Sequence, residues 1–224
     1  MPKEINRLVI DGLSDLLFTA GAGSSSIATR EGAEMHKIYM VGNILMDSLR
    51  YNRDRWQRPQ CLDGIDDGRY LVFTVNRKAL LADKENLQRM LTAISEAAGD
   101  IPVIAPLRGQ ALEVVSSLSF RFETVSPLSY LEFGYLTSHA LGIITDSGNV
   151  AEEATFNNVP CITLNSYTEH QETVKQGTNV LVGEDADLLR KMLTQLVKGD
   201  WKQSSLPDRW DGRTAERIVQ TLLA

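Results

Sequence analysis

The sequence predicts an α/β fold, a Rossmann-like doubly wound parallel sheet, and two observations carry this prediction. From residue 69 onward, short apolar runs alternate with segments whose apolar residues recur at helical spacing. In the most informative stretch, Leu141 to Glu153, an apolar strand passes through an Asp-Ser-Gly turn into a helix. Alternating strands and helices require a parallel sheet covered on both faces, with its ligand site at the carboxyl ends of the strands.

The elements of this sheet follow one another in regular order. The predicted strands are 69–74, 101–105, 120–125, 141–144, 161–164 and 179–182. The predicted helices are 84–98, 110–118, 129–139, one from Gly148, a short one from Thr168, and 186–197. The helix at 84–98 is indicated by Leu87, Leu91 and Ile94, which share one face at helical spacing.

The first sixty residues contain fewer elements. The pattern predicts a helix at 3–11, a strand at 15–18, a loop with a helix at 23–32 and a strand at 37–41. These pieces are too few to close a core, so residues 1–50 are expected to be the residual end of a separate α/β unit. The polar segment 51–68 is a predicted linker, 69–205 the main domain, and 206–224 a C-terminal segment with a helix from Thr214 to Leu223.

Composition narrows the class of protein. The chain has 224 residues, 43% of them hydrophobic, and a formal net charge of −6 without a Lys/Arg run. These values argue against duplex nucleic acid or an anionic membrane as partner. No segment resembles a signal peptide or reaches the ~20 apolar residues of a membrane span. Cys61 and Cys161 are far apart in the sequence and lack metal-ligand spacing. We therefore expect no structural disulfide, and a cytoplasmic location by default.

The turn after the strand at 141–144 has the features of an anion site. Ser147 can cap the following helix, Gly148 lets a ligand approach the backbone, and the helix N-terminus offers N–H groups and a positive dipole end. Glu153 lies about 9 Å along the axis from Ser147 at ~1.5 Å per residue. This separation suits a ligand with phosphates at the turn and sugar hydroxyls at the carboxylate. An ordinary capped helix with solvated glutamates is the alternative, and both remain open.

Seven segments occur in an order and spacing that resemble one known family. They are Pro2 to Arg7, Gly42 to Asp47, Thr74 to Arg77, Leu128 to Phe133, Asp146 to Glu153, Tyr167 to Glu172 and Gly177 to Gly183. This set resembles the UDP-N-acetylglucosamine 2-epimerases of the non-hydrolysing bacterial type, over nearly the whole chain. The resemblance implies the C-terminal half of a two-domain GT-B fold, with most of the first domain missing.

The resemblance also implies how UDP is held by the domain at 69–205. The diphosphate is expected at Ser147 and the amides of Gly148 and Asn149, and the ribose hydroxyls at Glu153. Phe133 is expected to lie along the uracil ring; the alternative is a core aromatic on an amphipathic helix.

Charged residues are expected around the same ligand. The resemblance places Arg77 near the phosphates, where a guanidinium suits paired oxygens, the alternative being a surface arginine. Glu169 and Glu172 are expected either to position Arg77 or to solvate the start of a helix. Asn76 and Arg108 stand where the family has histidines, and both are expected to contact phosphate through hydrogen bonds or charge.

Departures from the family pattern bear on catalysis. Asn76 cannot act as an acid or base, and Lys3 replaces the first glutamate of the family's Pro-Glu-Glu segment, whereas Glu4 is retained. Asn76 and Glu4 therefore occupy the candidate catalytic positions. The three histidines do not fall on the lost positions and are expected at the surface or at helix ends: His36, His139 and His170.

Three functions are consistent with these residues. The first is the UDP-binding half of an isomerase that inverts C2 of UDP-N-acetylglucosamine by eliminating and re-adding UDP, for surface polysaccharide synthesis. The second is a non-catalytic UDP-sugar binding module, favoured by Lys3 and Asn76. The third is a GT-B glycosyltransferase, against which the segment 169–172 and the Asn6-Arg7 pair argue. The resemblance implies no nicotinamide and no metal cofactor.

The missing first domain predicts how the chain associates. Its partners are expected to be a UDP-sugar, and either a separate N-terminal domain or further copies of the chain. An exposed apolar patch along residues 1–44 and the final helix is expected to favour that association.

Overall fold

The structure is a computed structural model and describes residues 2–118, 120 and 122–224. Its α-helices are α1 (Pro2–Leu13), α2 (Ala22–Arg30), α3 (Ile44–Asn52), α4 (Lys78–Ala82), α5 (Lys84–Ala98), α6 (Gly109–Ser117), α7 (Tyr130–Ser138), α8 (Gly148–Phe156), α9 (Gln171–Lys175), α10 (Ala186–Val197) and α11 (Thr214–Leu223). Its strands are β1 (Leu17–Thr19), β2 (Ile38–Met40), β3 (Leu71–Thr74), β4 (Val103–Ala105), β5 (Glu123–Thr124), β6 (Gly142–Thr145), β7 (Cys161–Thr163) and β8 (Asn179–Leu181). No helix among these residues is long and apolar enough to cross a bilayer.

The chain divides into two compact units. The smaller unit combines the residues up to Arg53 with Leu206–Ala224, and the larger unit comprises Asp54–Ser205. The smaller unit is therefore built from two segments that are distant in the sequence.

In the smaller unit, β1 and β2 form a parallel pair, and the C-terminal segment packs against the N-terminal one. Trp210 is 1% exposed, and its indole N–H donates to the carbonyl of Ala20 at 3.0 Å. The Asp47 carboxylate accepts the N–H groups of Thr214 and Ala215 at 3.0 and 2.8 Å. A carboxylate at this position caps α11 and complements its dipole.

The larger unit contains a six-stranded sheet in the order β5-β4-β3-β6-β7-β8, and all its pairings are parallel. This is the strand order of a Rossmann fold, in which successive strands are added first toward one edge of the sheet and then, after a reversal, toward the other. Here the reversal falls between β3 and β6, so the crevice at their carboxyl ends is the expected ligand site. The predicted fold class is confirmed.

Alternation along β3 explains why helices cover both faces of this sheet. Leu71 and Phe73 face a core formed with α5 and α10, whereas Val72 faces a core formed with α7 and α8. All four residues of β6 are buried. A strand buried on both faces is mostly apolar, which is the pattern seen in the sequence at 141–144, and its one polar residue, Thr145, is hydrogen-bonded to Thr74.

Several short elements differ from the sequence prediction. The strand predicted at 120–125 is only the two-residue β5, and residue 121 lies outside the described residues. The helix predicted from Thr168 begins at Gln171, because the Thr168 hydroxyl accepts the N–H of His170 in a turn. Helices α3 and α4 were not predicted.

The predicted linker, 51–68, contains the end of α3 and two 3-10 turns, Arg53–Arg55 and Gln60–Leu62. Leu62 is fully buried in the core beneath α7 and α8. Arg58 pairs with Asp67 at 2.7 Å and donates to the Tyr135 hydroxyl at 3.0 Å. The boundary of the larger unit falls just after Arg53. The functional division of the chain into domains stays a prediction.

Candidate functional site

Two adjoining cavities lie at the carboxyl ends of β3 and β6, and three residues line both: Asn76, Asp146 and Ser147. The first cavity measures about 460 Å³ and carries mainly polar and charged side chains. The second measures about 340 Å³ and is more apolar. Together they form a cleft with one side suited to a charged group and the other to a flat apolar one.

Asp146 joins the two loops that border the cleft. Its Oδ2 accepts the N–H groups of Asn76 and Arg77 at 2.7 and 2.6 Å. Beneath it, the hydroxyls of Thr74 and Thr145 lie 2.7 Å apart, and Thr145 Oγ1 also accepts the N–H of Ser147 at 3.0 Å. These bonds connect the loop after β3 to the loop after β6.

The first turn of α8 opens into the cleft. Ser147 is its N-cap, with Oγ accepting the N–H of Val150 at 3.5 Å. The N–H groups of Gly148 and Asn149 belong to the first turn, where a helix offers no intrahelical acceptor. Gly148 lines the first cavity, and Asn149 is exposed beside it. The predicted anion-binding residues therefore lie together at one helix N-terminus.

Glu152 and Glu153 on the same helix are both buried, with exposures of 6% and 9%. The alternative of solvated glutamates is therefore wrong. Burial, followed by the neighbouring charge of Glu152, raises the pKa of Glu153 to about 7. Glu153 lies near Tyr130, whose pKa is raised by burial and then by the Glu153 charge.

The second cavity is lined by aromatic and aliphatic side chains. Phe133 on α7 lines it while also packing against the core of the larger unit, so the cavity-lining and core interpretations both apply. Tyr130 lines the same cavity, and its ring makes an edge contact with Trp56 at a centroid distance of 5.7 Å. Arg108 is exposed at its rim.

Arg77 lines the first cavity and is fixed by partners other than those predicted. One guanidinium nitrogen pairs with the Glu184 carboxylate and donates to the carbonyl of Leu164 at 3.1 Å. Its Nε is buried without a hydrogen-bond partner among the described residues. Glu169 lines the same cavity and is exposed. Among the contacts described for Arg77, the ion pair is with Glu184 and with neither Glu169 nor Glu172.

His170 is a cavity residue that the sequence interpretation did not recognise. It stands at the N-terminal end of α9, as a helix-end residue, but its ring also lines the first cavity. Its Nδ1 lies 2.7 Å from Oε1 of Glu152. A Cβ on Gly148 would lie 2.6 Å from His170 Cδ2 and 2.7 Å from Nε2, so only glycine allows the ring to lie so close. The sequence did offer one signal for this role: His170 follows the carboxyl end of β7, the strand next to β6.

The two candidate catalytic residues lie in different units. Asn76 is exposed and lines both cavities of the larger unit. Glu4 lies on α1 of the smaller unit, where its carboxylate pairs with Arg7 at 2.6 Å. Across the described residues, no cluster of three or more His, Cys, Asp or Glu side chains is arranged to hold a metal ion.

The strand order places this chain in the class of Rossmann-like α/β proteins, and its cleft lies where such folds carry their ligand site. A family model described as UDP-N-acetylglucosamine 2-epimerase matches residues 1–223. The chain belongs to the UDP-N-acetylglucosamine 2-epimerase family.

Named relatives support the same family. The UDP-N-acetylglucosamine 2-epimerase of Methanocaldococcus jannaschii is 32% identical, across 99% of this chain and 64% of that protein. A UDP-2,3-diacetamido-2,3-dideoxy-D-glucuronate 2-epimerase from Pseudomonas aeruginosa is 33% identical, across 99% of this chain and 63% of that protein. The chain thus spans somewhat under two thirds of the length of these relatives and corresponds to their C-terminal part.

Solved structures agree. The M. jannaschii enzyme in complex with UDP-N-acetylglucosamine and UDP superposes with a TM-score of 0.78 at 31% identity, over 100% of this chain and 65% of that one. The Neisseria meningitidis enzyme bound to UDP-N-acetylglucosamine superposes with a TM-score of 0.84 at 25% identity, over 99% of this chain and 65% of that one. The predicted C-terminal part of a GT-B fold is confirmed.

Proposed function

We propose that this chain is the UDP-binding part of a UDP-N-acetylglucosamine 2-epimerase, an isomerase that forms UDP-N-acetylmannosamine by eliminating UDP and adding it back. The observation that carries the proposal is the cleft between β3 and β6, where a Ser147-capped helix and the buried Glu153 lie on one element. Two related enzymes have been solved with UDP-N-acetylglucosamine in place.

In this proposal the diphosphate lies over the first turn of α8. Elimination leaves negative charge on the departing diphosphate, and fixed donors at that point lower the barrier because they need no reorganisation. The amides of Gly148 and Asn149 are such donors, since Ser147 and Asp146 hold the turn rigid. Arg77 and Arg108 add positive charge at the two sides of the cleft.

The nucleoside lies along α8 toward the second cavity. The Glu153 carboxylate accepts hydrogen bonds from the ribose hydroxyls, and the uracil ring lies along Phe133. Burial raises the pKa of this carboxylate to about 7 because it loses hydrogen bonds from water. The ribose hydroxyls replace those hydrogen bonds and so stabilise the ionised form. Glu169 lines the first cavity and in this proposal lies next to the N-acetylglucosamine ring.

Acid–base chemistry at C2 requires groups that titrate. Asn76 does not, so its role is to donate a hydrogen bond to the substrate, while Glu4 stays the acid–base candidate. As partners we propose a UDP-sugar, together with either a separate N-terminal domain or further copies of the chain. Cys61 and Cys161 are both free thiols, which supports a cytoplasmic location.

Calorimetric titration with UDP tests the binding site. Glu153→Ala is expected to weaken binding by ~1–3 kcal/mol, because a hydrogen bond to a charged group is lost. Asp187→Ala serves as the matched control, since its side chain is 92% exposed on α10. A folded sample without affinity for UDP would refute the proposal.

The second candidate is a non-catalytic UDP-sugar binding module, which is favoured because Asn76 has no titratable group. Deuterium exchange distinguishes it from the isomerase. The chain is combined with the N-terminal part of a family member and incubated with UDP-N-acetylglucosamine in D₂O. An isomerase incorporates deuterium at C2; a binding module or a glycosyltransferase incorporates none.

A further inference from the structure

The His170–Glu152 pair has a fixed orientation that the proposed function does not explain. Glu152 is 6% exposed and belongs to α8, whereas His170 precedes α9, eighteen positions later. The 2.7 Å contact between Nδ1 and Oε1 turns the opposite edge of the imidazole toward Gly148. That edge, which carries Nε2, lies over the helix N-terminus proposed to hold the diphosphate.

The contact with Glu152 also fixes which ring nitrogen carries hydrogen. An ionised carboxylate only accepts hydrogen bonds, so Nδ1 of His170 must be the donor. A neutral ring then presents a lone pair at Nε2 to an anion in the cleft. A protonated ring presents an N–H donor and a positive charge at the same place. The two states therefore differ both in charge and in hydrogen-bonding sense.

Charged groups surround His170 from several elements. Its pKa is raised, first by the hydrogen bond with Glu152 and further by the charges of Glu152, Glu169 and Glu172, while burial opposes these effects. Arg77 and Asp146 line the same cavity from the loops after β3 and β6, and Tyr167 lines it from the loop before His170. A bound diphosphate adds negative charge beside the ring and favours its protonated form.

We propose that His170, held by Glu152, is a titratable ligand of the diphosphate, so that the nucleotide sugar binds together with a proton and its affinity falls as His170 deprotonates. This inference rests on the proposed function, because it concerns the same diphosphate site. Glu152 acts here as a positioning residue.

Glu153 imposes the opposite dependence. Its ionised form accepts the ribose hydroxyls, so affinity rises as pH passes through its pKa of about 7. The affinity profile is therefore bell-shaped, with an acid limb from Glu153 and an alkaline limb from His170. Substituting one residue leaves the limb of the other, which makes the two assignments separable.

The test measures the affinity for UDP-N-acetylglucosamine by calorimetry between about pH 6 and about pH 9. Both phosphates of this probe are esterified, whereas the terminal phosphate of UDP titrates near pH 6 and would obscure the result. On the alkaline limb, affinity of the unaltered protein is expected to fall by up to about tenfold per pH unit, the limit for one linked proton.

Two substitutions of His170 test whether this residue causes the fall in affinity at alkaline pH. His170→Gln is expected to lose about tenfold or more in affinity on the acid side and to remove the alkaline fall, because no charge is present at any pH. His170→Arg keeps a permanent charge and removes the alkaline fall while retaining affinity. His139→Gln is the matched control: its ring stacks on Tyr135 at 4.1 Å, in the same unit but away from both cavities, and it should keep the fall.

Glu152→Gln tests the positioning role. The amide oxygen still accepts from Nδ1 but no longer raises the pKa of His170, so the alkaline limb should move to lower pH and persist. A simple loss of structure would not shift the limb.

The outcomes separate the two claims. If His170→Gln binds the probe with the same alkaline fall as the unaltered protein, this inference is wrong while the proposed function stands. If the folded, unaltered protein shows no affinity at any pH, the proposed function fails and this inference fails with it.

Discussion

At the scale of single residues, the buried carboxylate of Glu153 makes the stability of the larger unit depend on pH. Its pKa is about 7 in the folded chain, against an ordinary value of 4.5, so the folded state binds more protons than the unfolded state between these values. Stability of the unliganded unit therefore decreases as pH rises through this window.

The corresponding prediction concerns Glu153→Gln. Removing the charge should raise the free energy of unfolding at pH 8 by up to about 3 kcal/mol, following 1.36 kcal/mol per pKa unit, with a much smaller gain at pH 5. Urea denaturation at both pH values measures this, with Asp187→Asn as an exposed control. Equal gains at the two pH values would contradict the linkage argument.

Gly148→Ala is predicted to displace the His170 ring. A Cβ would lie 2.6–2.7 Å from the imidazole, so the ring must leave Glu152 and its pKa should return toward the ordinary value. The pH titration of the imidazole NMR signals measures this change. Gly12→Ala is the control, since a Cβ there meets no atom within 4 Å. An unchanged His170 titration would show that the ring does not depend on this glycine.

Sequence reasoning found the residues of the cleft that follow each other along the chain. Asp146, Ser147 and Gly148 form one turn, and their positions after an apolar strand indicated an anion site. His170 was missed because its place depends on a contact with Glu152 across two elements. The burial of Glu153 was left open, since local sequence does not show which face of α8 is covered.

At the scale of elements, long amphipathic helices were predicted most accurately. The predicted ranges 84–98 and 186–197 coincide with α5 and α10, because their apolar faces repeat over three or more turns. Short elements carry too few residues for such a pattern, which explains the missed α4 and the two-residue β5. Helix α3 did carry a signal: Asn43 caps it by accepting the N–H of Leu45 at 3.0 Å.

Asp146 determines how the loops after β3 and β6 are held together. Asp146→Ala removes the acceptor of two backbone N–H groups, at Asn76 and Arg77, and should destabilise the larger unit by about 1–3 kcal/mol. UDP affinity should fall as well, because the loops bordering the cleft lose their fixed spacing. Thermal denaturation and calorimetry test the two effects. Asp146→Asn keeps one acceptor oxygen, so its stability and its UDP affinity should lie between those of Asp146→Ala and those of the unaltered chain. A larger loss for Asp146→Asn than for Asp146→Ala would contradict this prediction.

At the scale of the whole molecule, the smaller unit exposes apolar residues, as the sequence predicted. On α1, Ile5, Val9 and Leu13 are 62%, 55% and 81% exposed; on α11, Leu222 and Leu223 are 60% and 83% exposed. The family resemblance supplied this expectation, and the chain spans 64% of its M. jannaschii relative. Composition alone did not, since 43% hydrophobic content is ordinary for a folded domain.

This surface predicts association. At micromolar concentration the chain should sediment as a species larger than its 24.9 kDa monomer. Replacing Ile5, Val9 and Leu13 together by lysine should shift the distribution toward monomer and leave UDP affinity intact. Leu188→Lys, a single exposed apolar residue on α10, is the control and should change neither. A monomeric unaltered chain would refute the prediction.

The burial of Trp210 against Ala20 has a consequence for biosynthesis. The larger unit is one continuous stretch and can become native as soon as its last strand and helix have left the ribosome. The smaller unit cannot, because its N-terminal half must wait until the tryptophan emerges 190 residues later. The larger unit is therefore expected to become native first, while the segment up to Arg53 stays accessible to chaperones until Leu206–Ala224 has been synthesised.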